Sequence, residues 1–77
     1  MISKNDLKGK RIEFIDRRGA TRISKVYRIR GTTLTVGNVV MIKKKRYKLY
    51  WQRINPYKNT IFGVYIRKKL VEIDWDG

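Results

Sequence analysis

The stretch Met41–Arg53, MIKKKRYKLYWQR, decides how the rest of the chain is read. It opens apolar, passes through Lys43, Lys44, Lys45 and Arg46, and then alternates. Tyr47, Leu49 and Trp51 share one parity; Arg46, Lys48, Tyr50 and Gln52 share the other. Successive side chains of a strand point to opposite faces, so the pattern predicts a ribbon with an apolar underside and a basic, aromatic upper side. An upper side of that kind suits a polyanion carrying flat bases.

The flanking segments extend the same reading. Upstream, Lys10–Asp16 predicts a strand with Ile12 and Phe14 inward, Arg17-Arg18-Gly19 a tight turn, and Ala20–Arg30 a long returning strand that bends partway. Thr33–Val36 reads as a short strand, Gly37-Asn38 as a hairpin turn and Val39–Ile42 as the next strand. Lys43–Lys45 reads as a loop tip, where repelling neighbours are solvated. Downstream, Arg46–Ile54 is a strand and Asn55–Asn59, which holds the only proline, is a loop. Thr60–Arg67 is a strand with Phe62, Val64 and Ile66 on one parity and Tyr65 and Arg67 on the other. Lys68-Lys69 turns the chain, and Leu70–Trp75 closes the sheet with Val71, Ile73 and Trp75 inward. Residues 1–9 fit either one helical turn, with Ser3 and Asp6 as a cap and Gly9 as a stop, or a frayed arm. Trp51 and Trp75 both fall on inward parity and read as core or interface anchors. The expected fold is all-β: a small SH3-like or OB-like barrel of about five to seven short antiparallel strands, one domain over residues 1–77.

Composition narrows the chemistry. The 77 residues include no Cys and no His, so disulfides are impossible and the usual zinc ligands are missing. No metal and no cofactor is expected. The chain has 20 Lys plus Arg against 6 Asp plus Glu, a formal charge of +14. Residues 1–69 hold all the cations and only Asp6, Glu13 and Asp16, a net +17, which leaves Glu72, Asp74 and Asp76 as a separate acidic tail. Self-repulsion on this scale strains a small compact state, and a polyanionic partner relieves it. The longest apolar run is Val39–Ile42, far below the roughly 20 residues that span a bilayer, and no long amphipathic helix pattern occurs. A membrane partner is therefore not expected. A single Gln and four Asn beside abundant Lys, Arg, Ile and Val give a thermophile-like composition.

The candidate binding residues form two groups. Arg46, Lys48, Tyr50 and Gln52 make the first, with Lys43, Lys44 and Lys45 at the tip and Tyr65 and Arg67 on the expected neighbouring strand. Lysine and arginine neutralise phosphates and release counterions, while tyrosine rings stack on bases or lie against sugars. Gly63 shares the outward parity and leaves room for a close backbone. The bland alternative is a solvated charged face with tyrosines covering the sheet. The second group lies in Lys25–Arg30, KVYRIR, which reads in two ways. Either Ile23, Tyr27 and Ile29 are core and Arg22, Arg28 and Arg30 face out, or Val26 is core and Lys25, Tyr27 and Ile29 face out. The second reading would place a Tyr–Ile pair beside arginines, as a minor-groove wedge requires.

Ile23-Ser24-Lys25-Val26-Tyr27-Arg28-Ile29 resembles a segment of the small SH3-like chromatin proteins of thermophilic archaea. The resemblance implies a groove-facing role for Tyr27, Arg28 and Ile29. The apolar wedge that follows in that family has Thr32 and Thr33 in its place here, and its Gly-rich hairpin and C-terminal helix have no counterpart. Residues 7–19, LKGKRIEFIDRRG, are similar to the opening of Sm-like RNA-binding barrels, without the second signature of that family.

The sequence therefore predicts a non-catalytic nucleic-acid-binding protein. Duplex DNA with little sequence specificity is the favoured partner, in a chromatin or genome-packaging role, cellular or viral, with a cytoplasmic, nucleoid-associated location. An RNA-binding barrel, ribosome-associated or Sm-like, is the near alternative. A metal-dependent nuclease built on Glu72, Asp74 and Asp76 is a more distant one, because no His is present to share acid–base work. An SH3-type module whose basic face takes an acidic protein is the remaining one.

Overall fold

The computed structural model describes residues 1–77. Eight strands appear in chain order: β1 (Ile2–Ser3), β2 (Arg11–Ile15), β3 (Thr21–Arg30), β4 (Thr33–Ile42), β5 (Lys45–Ile54), β6 (Ile61–Ile66), β7 (Lys69–Val71) and β8 (Ile73–Asp74). The only helical element is a 3-10 turn, Lys4–Asp6, with Ser3 accepting the Asn5 N–H at 3.3 Å. The all-β expectation holds. Six strands form one antiparallel sheet in the order β5-β4-β3-β2-β6-β7, and β1 pairs in parallel with β8. The parallel pair was not foreseen. It ties the two termini together, helped by the Ile2 N–H donating to the Glu72 carbonyl at 3.0 Å and the Asn5 amide donating to the Gly77 carbonyl at 3.1 Å.

Burial sets the curl of the sheet. The fully buried apolar residues are Leu7, Ile12, Phe14, Val26, Leu34, Val36, Ile54 and Val64. Leu7 follows the 3-10 turn and the rest come from β2, β3, β4, β5 and β6, so one face of the sheet must wrap round on itself to bring Ile54 and Val64 into one cluster. No ladder joins β5 to β7, so the sheet stays open along its backbone, and side chains of the core cluster bring its two ends together. Ile61, Ile66, Val71, Ile73 and Trp75 pack against this cluster, as their parity predicted for all but Ile61.

Three β-bulges let short strands bend this sharply, and each extra residue is aromatic. On β6, Glu13 opposes Gly63 while Phe14 opposes Ile61, which leaves Phe62 unpaired. Ile61 thus takes the inward place expected of Phe62, and Phe62 stays exposed. On β3, Val26 opposes Val36 and Arg28 opposes Thr35, leaving Tyr27 extra. On β5, Gln52 opposes Val36 and Leu49 opposes Asn38, so Tyr50 and Trp51 together face Gly37. Tyr50 adopts φ 52°, the left-handed region that a bulge of this kind demands. An inserted residue shifts the two-residue period and swaps the faces beyond it.

Several expectations fail at these bulges. Trp51 is not in the core; it lies on the outer face and is 41% exposed. Tyr47 and Leu49 are also exposed rather than inward, because their part of β5 runs beyond the core. Gly37-Asn38 is not a turn. Thr33–Ile42 is one continuous strand, and Gly37 is bare because Trp51 rests on it. The real turns are Lys43-Lys44, at the tip foreseen, and Arg67-Lys68, one residue before the place predicted. Both are two-residue loops with positive φ at each position, 50° and 67° in the first, 49° and 67° in the second. Twisted strands favour this geometry in hairpins.

Two stability measurements check this packing. A Cβ on Gly37 would lie 2.3 Å from Cε3 of Trp51, so Gly37→Ala must unseat the indole. Overpacking of this kind costs about 1–3 kcal/mol, and the expected result is a clear fall in Tm that Trp51→Leu partly reverses when combined with it. Ser24 is fully buried opposite Ile12, and its hydroxyl has no hydrogen-bond partner. Ser24→Ala removes that uncompensated group and is expected to raise stability by about 1 kcal/mol, read from the urea midpoint.

Candidate nucleic-acid interface

The bulges sort the side chains of β3, β4 and β5 onto two faces. Residues directly opposite each other share a face, so the register assigns them. Thr33, Thr35, Gly37, Val39 and Met41 lie on the outer face of β4. Opposite them are Arg30, Arg28 and Lys25 on β3, and Arg53, Lys48 and Arg46 on β5. The two readings of Lys25–Arg30 are each half right. Val26 is core and Lys25 outward before the bulge; Ile29 is inward and Arg28 and Arg30 outward after it. On β5, Arg46 and Lys48 face out as expected. Beyond Tyr50 the parity flips, so Trp51 and Arg53 join them, and Gln52 turns to the side of Val36 and is half-buried.

Beyond Asn38 and Leu49, β4 and β5 leave the body as a two-stranded arm ending at Lys43-Lys44. The molecule measures 41 × 27 × 23 Å, and every residue from Met41 to Trp51 is exposed. Lys45, Tyr47, Leu49, Val40 and Ile42 line one side of the arm; Arg46, Lys48, Val39 and Met41 line the other and continue the outer face. The tip lysines occupy left-handed backbone, where Asn and Gly sit with less strain.

At the other end of the outer face lies a cleft of about 600 Å³ lined by Arg17, Arg28, Arg30, Arg53 and Lys58, with Thr33, Thr35, Asn55 and Asn59 between them. No carboxylate and no apolar side chain lines it. The Asn55–Asn59 loop is fixed from within. Asn55 Oδ1 accepts from the N–H groups of Tyr57 and Lys58 at 2.9 and 3.0 Å, and Asn59 Oδ1 accepts from Asn55 N–H at 3.1 Å. Lys58 is therefore presented by a rigid turn. The charge imbalance is local as well as global: residues 17–71 hold 16 Lys and Arg and no Asp or Glu.

Aromatic rings sit where arm and cleft meet. Tyr27 and Trp51 lie with ring centres 4.6 Å apart, tilted by 37°. The ammonium of Lys48 is 4.8 Å from the Trp51 ring centre and that of Lys25 is 5.5 Å from Tyr27. Tyr50 remains exposed, and the Arg22 guanidinium stacks 3.6 Å from its ring centre. Arg22 is held in turn by Asp16, the single ion pair of the chain. Asp16 also accepts the N–H groups of Arg18 and Ala20, each at 2.9 Å, which closes the β2–β3 turn. One carboxylate thus fixes a hairpin turn, an arginine and the root of the arm.

The structure does not bring all the predicted residues together. Lys25, Tyr27, Arg28, Arg30, Lys43, Lys44, Arg46 and Lys48 share the outer face or the arm tip, and Lys45 lies on the reverse of the arm. Tyr65 and Arg67 do not join them. They belong to β6 and its turn, and β6 pairs with β2 and β7 rather than with β5. The Asn55–Asn59 loop carries the chain to the far side of the sheet. Tyr65 is half-buried, and its hydroxyl donates to Glu13 Oε1 at 2.6 Å. That bond to a carboxylate raises the phenol's pKa above its usual value. Arg17, Arg53, Lys58 and Trp51 were missed. Arg53 and Trp51 were hidden by the bulge; Arg17 and Lys58 sit in turns, where strand parity says nothing.

Comparison with protein-family models, curated proteins and solved structures gives no match to this chain.

The Asp16 cluster has a pH signature. Hydrogen bonds from the Ala20 N–H and from Arg22 hold the carboxyl below the usual aspartate value. A depressed folded-state pKa stabilises the fold above the unfolded value, and that contribution is lost as pH falls through the folded one. Asp16→Asn is therefore expected to be less stable than the parent at pH 7. The gap should narrow as the medium is acidified below about pH 4, as followed by thermal melts across a pH series.

Proposed function

We propose that this protein binds nucleic acid without catalysis, with duplex DNA as its partner and little dependence on base sequence. The observation that carries the reading is the outer face of β3, β4 and β5. It runs from the Lys43-Lys44 tip past Arg46, Lys48, Arg28 and Arg53 to the arginine cleft, with no carboxylate on these three strands. A row of this kind neutralises phosphates along a backbone and releases their counterions. A projecting two-stranded ribbon also has the dimensions that the major groove admits. With the arm along a groove, the cleft arginines lie where they can engage flanking phosphates. The outward side chains of the arm, Val39, Met41, Arg46 and Lys48, include no Asn or Gln to read an adenine edge, which fits weak sequence preference. The chromatin-like segment around Tyr27 and Arg28 supports the same partner, and a packaging role at a cellular or viral genome follows from it.

The rival readings find less support. No three acids gather into one cluster, and Asp16 and Glu13 are already engaged by Arg22 and Tyr65. RNA remains the nearest competitor, and the test below includes it.

Fluorescence anisotropy against duplex DNA and duplex RNA across a salt series tests the proposal. Contact with about 6–8 phosphates gives a log–log slope of roughly −5 to −7, with DNA bound more tightly at matched salt. Arg28→Glu with Arg53→Glu is expected to lower affinity at least about tenfold, since it reverses two phosphate contacts. The same charge change at Arg67 and Lys68 should leave most of the affinity intact. Equal losses from both pairs would mean that net charge, not this face, drives binding.

A further inference from the structure

Beside the arginine cleft lies a second concavity of about 490 Å³, and its lining differs in kind. Tyr27 and Trp51 form one wall, Arg17, Arg28 and Arg53 supply cations, and Thr35 and Gln52 complete the lining. Its volume lies within the range of small-molecule sites.

The aromatic wall is built at some cost to the sheet. Two bulges interrupt the ladders, and Tyr50 is held in left-handed backbone, so that Tyr27 and Trp51 emerge on the outer face. The Trp51 ring cannot turn freely, because it rests on the bare backbone of Gly37 and is braced by Tyr27. It is nevertheless 41% exposed. The Lys48 ammonium lies against the indole, which marks the ring as reachable from solvent, and its flexible stem lets it pass to a phosphate. A fixed, exposed indole with guanidinium groups beside it is the arrangement that stacks a base while holding its phosphate. Inside an intact duplex both faces of each base are covered by neighbouring pairs, so the interior of a double helix cannot use this wall.

We infer that Tyr27 and Trp51 form a stacking site for one unpaired nucleotide, at a strand end, a gap or a flipped base. Arg28, Arg53 and Arg17 take its flanking phosphates. The inference rests on the nucleic-acid reading of the same face and specifies which DNA is preferred: duplex with a single-stranded element next to it.

The test compares a blunt duplex with the same duplex carrying a short single-stranded extension, at one salt concentration. The extended DNA is expected to bind about fivefold tighter or better and to quench tryptophan emission. The quench should survive in Trp75→Phe, which leaves Trp51 as the only indole. Trp51→Leu keeps an apolar side chain over Gly37 and is expected to lose the preference for the extension, its affinity for the extended DNA falling to that for the blunt duplex. Circular dichroism of each variant checks that the sheet is intact. If Trp51→Leu does not fold, Tyr27→Leu serves in its place with the same expected loss of preference. Equal affinity for the two DNAs, or no quench of Trp51 emission, overturns this inference alone. Failure to bind either DNA overturns the nucleic-acid reading and this inference with it.

Discussion

The seating of one indole on one glycine organises the basic, aromatic half of this molecule. Trp51 can lie on the outer face only because β5 carries an extra residue at Tyr50 and β4 carries no side chain at Gly37. The same shift in parity sends Arg53 outward to meet Arg28 and Arg30 and turns Gln52 to the inner side, opposite Val36. The bulge on β3 performs the matching shift, so Tyr27 meets Trp51 while Val26 and Ile29 both stay inward. The basic cleft and the aromatic wall are therefore products of the same two irregularities.

Where strands follow a simple alternation, the sequence was an accurate guide. Ile12 and Phe14 on β2, Val64 on β6, and Val71, Ile73 and Trp75 near the C-terminus all lie where their parity put them. Ser3 caps the first turn as its position suggested. Alternation fails as a guide once a residue is inserted, since every later side chain changes face. Trp51 and Gln52 were misassigned, and Arg53 was overlooked, for this one reason. Gly37-Asn38 misled differently: a glycine before an asparagine has the chemistry of a turn, but here it meets a neighbour's need for space. Strand partners were not legible either. Nothing in Thr60–Arg67 says that β6 will pair with β2 instead of β5, because that choice depends on where the Asn55–Asn59 loop delivers the chain.

Stability and charge pull against each other in so small a body. Eight fully buried apolar residues must hold together a chain of formal charge +14 with a single internal ion pair. A core of this size offers a modest margin, and mutual repulsion reduces it. The molecule spends its carboxylates on architecture: Asp16 on the turn and the arm root, Glu13 on Tyr65, Asp74 on the Asp76 backbone. None is placed among the arginines of the cleft. That division leaves the outer face free of internal neutralisation, and it means that an anion bound there stabilises the folded state by mass action.

The open sheet leaves β5 as a ten-residue terminal strand. A border of that length exposes backbone donors and acceptors to any other chain and invites fibril-like association. Here the border is guarded by Lys45, Arg46 and Lys48, and by the kink at Tyr50, which breaks its straight run. The features that shape the outer surface thus also work against border-to-border stacking.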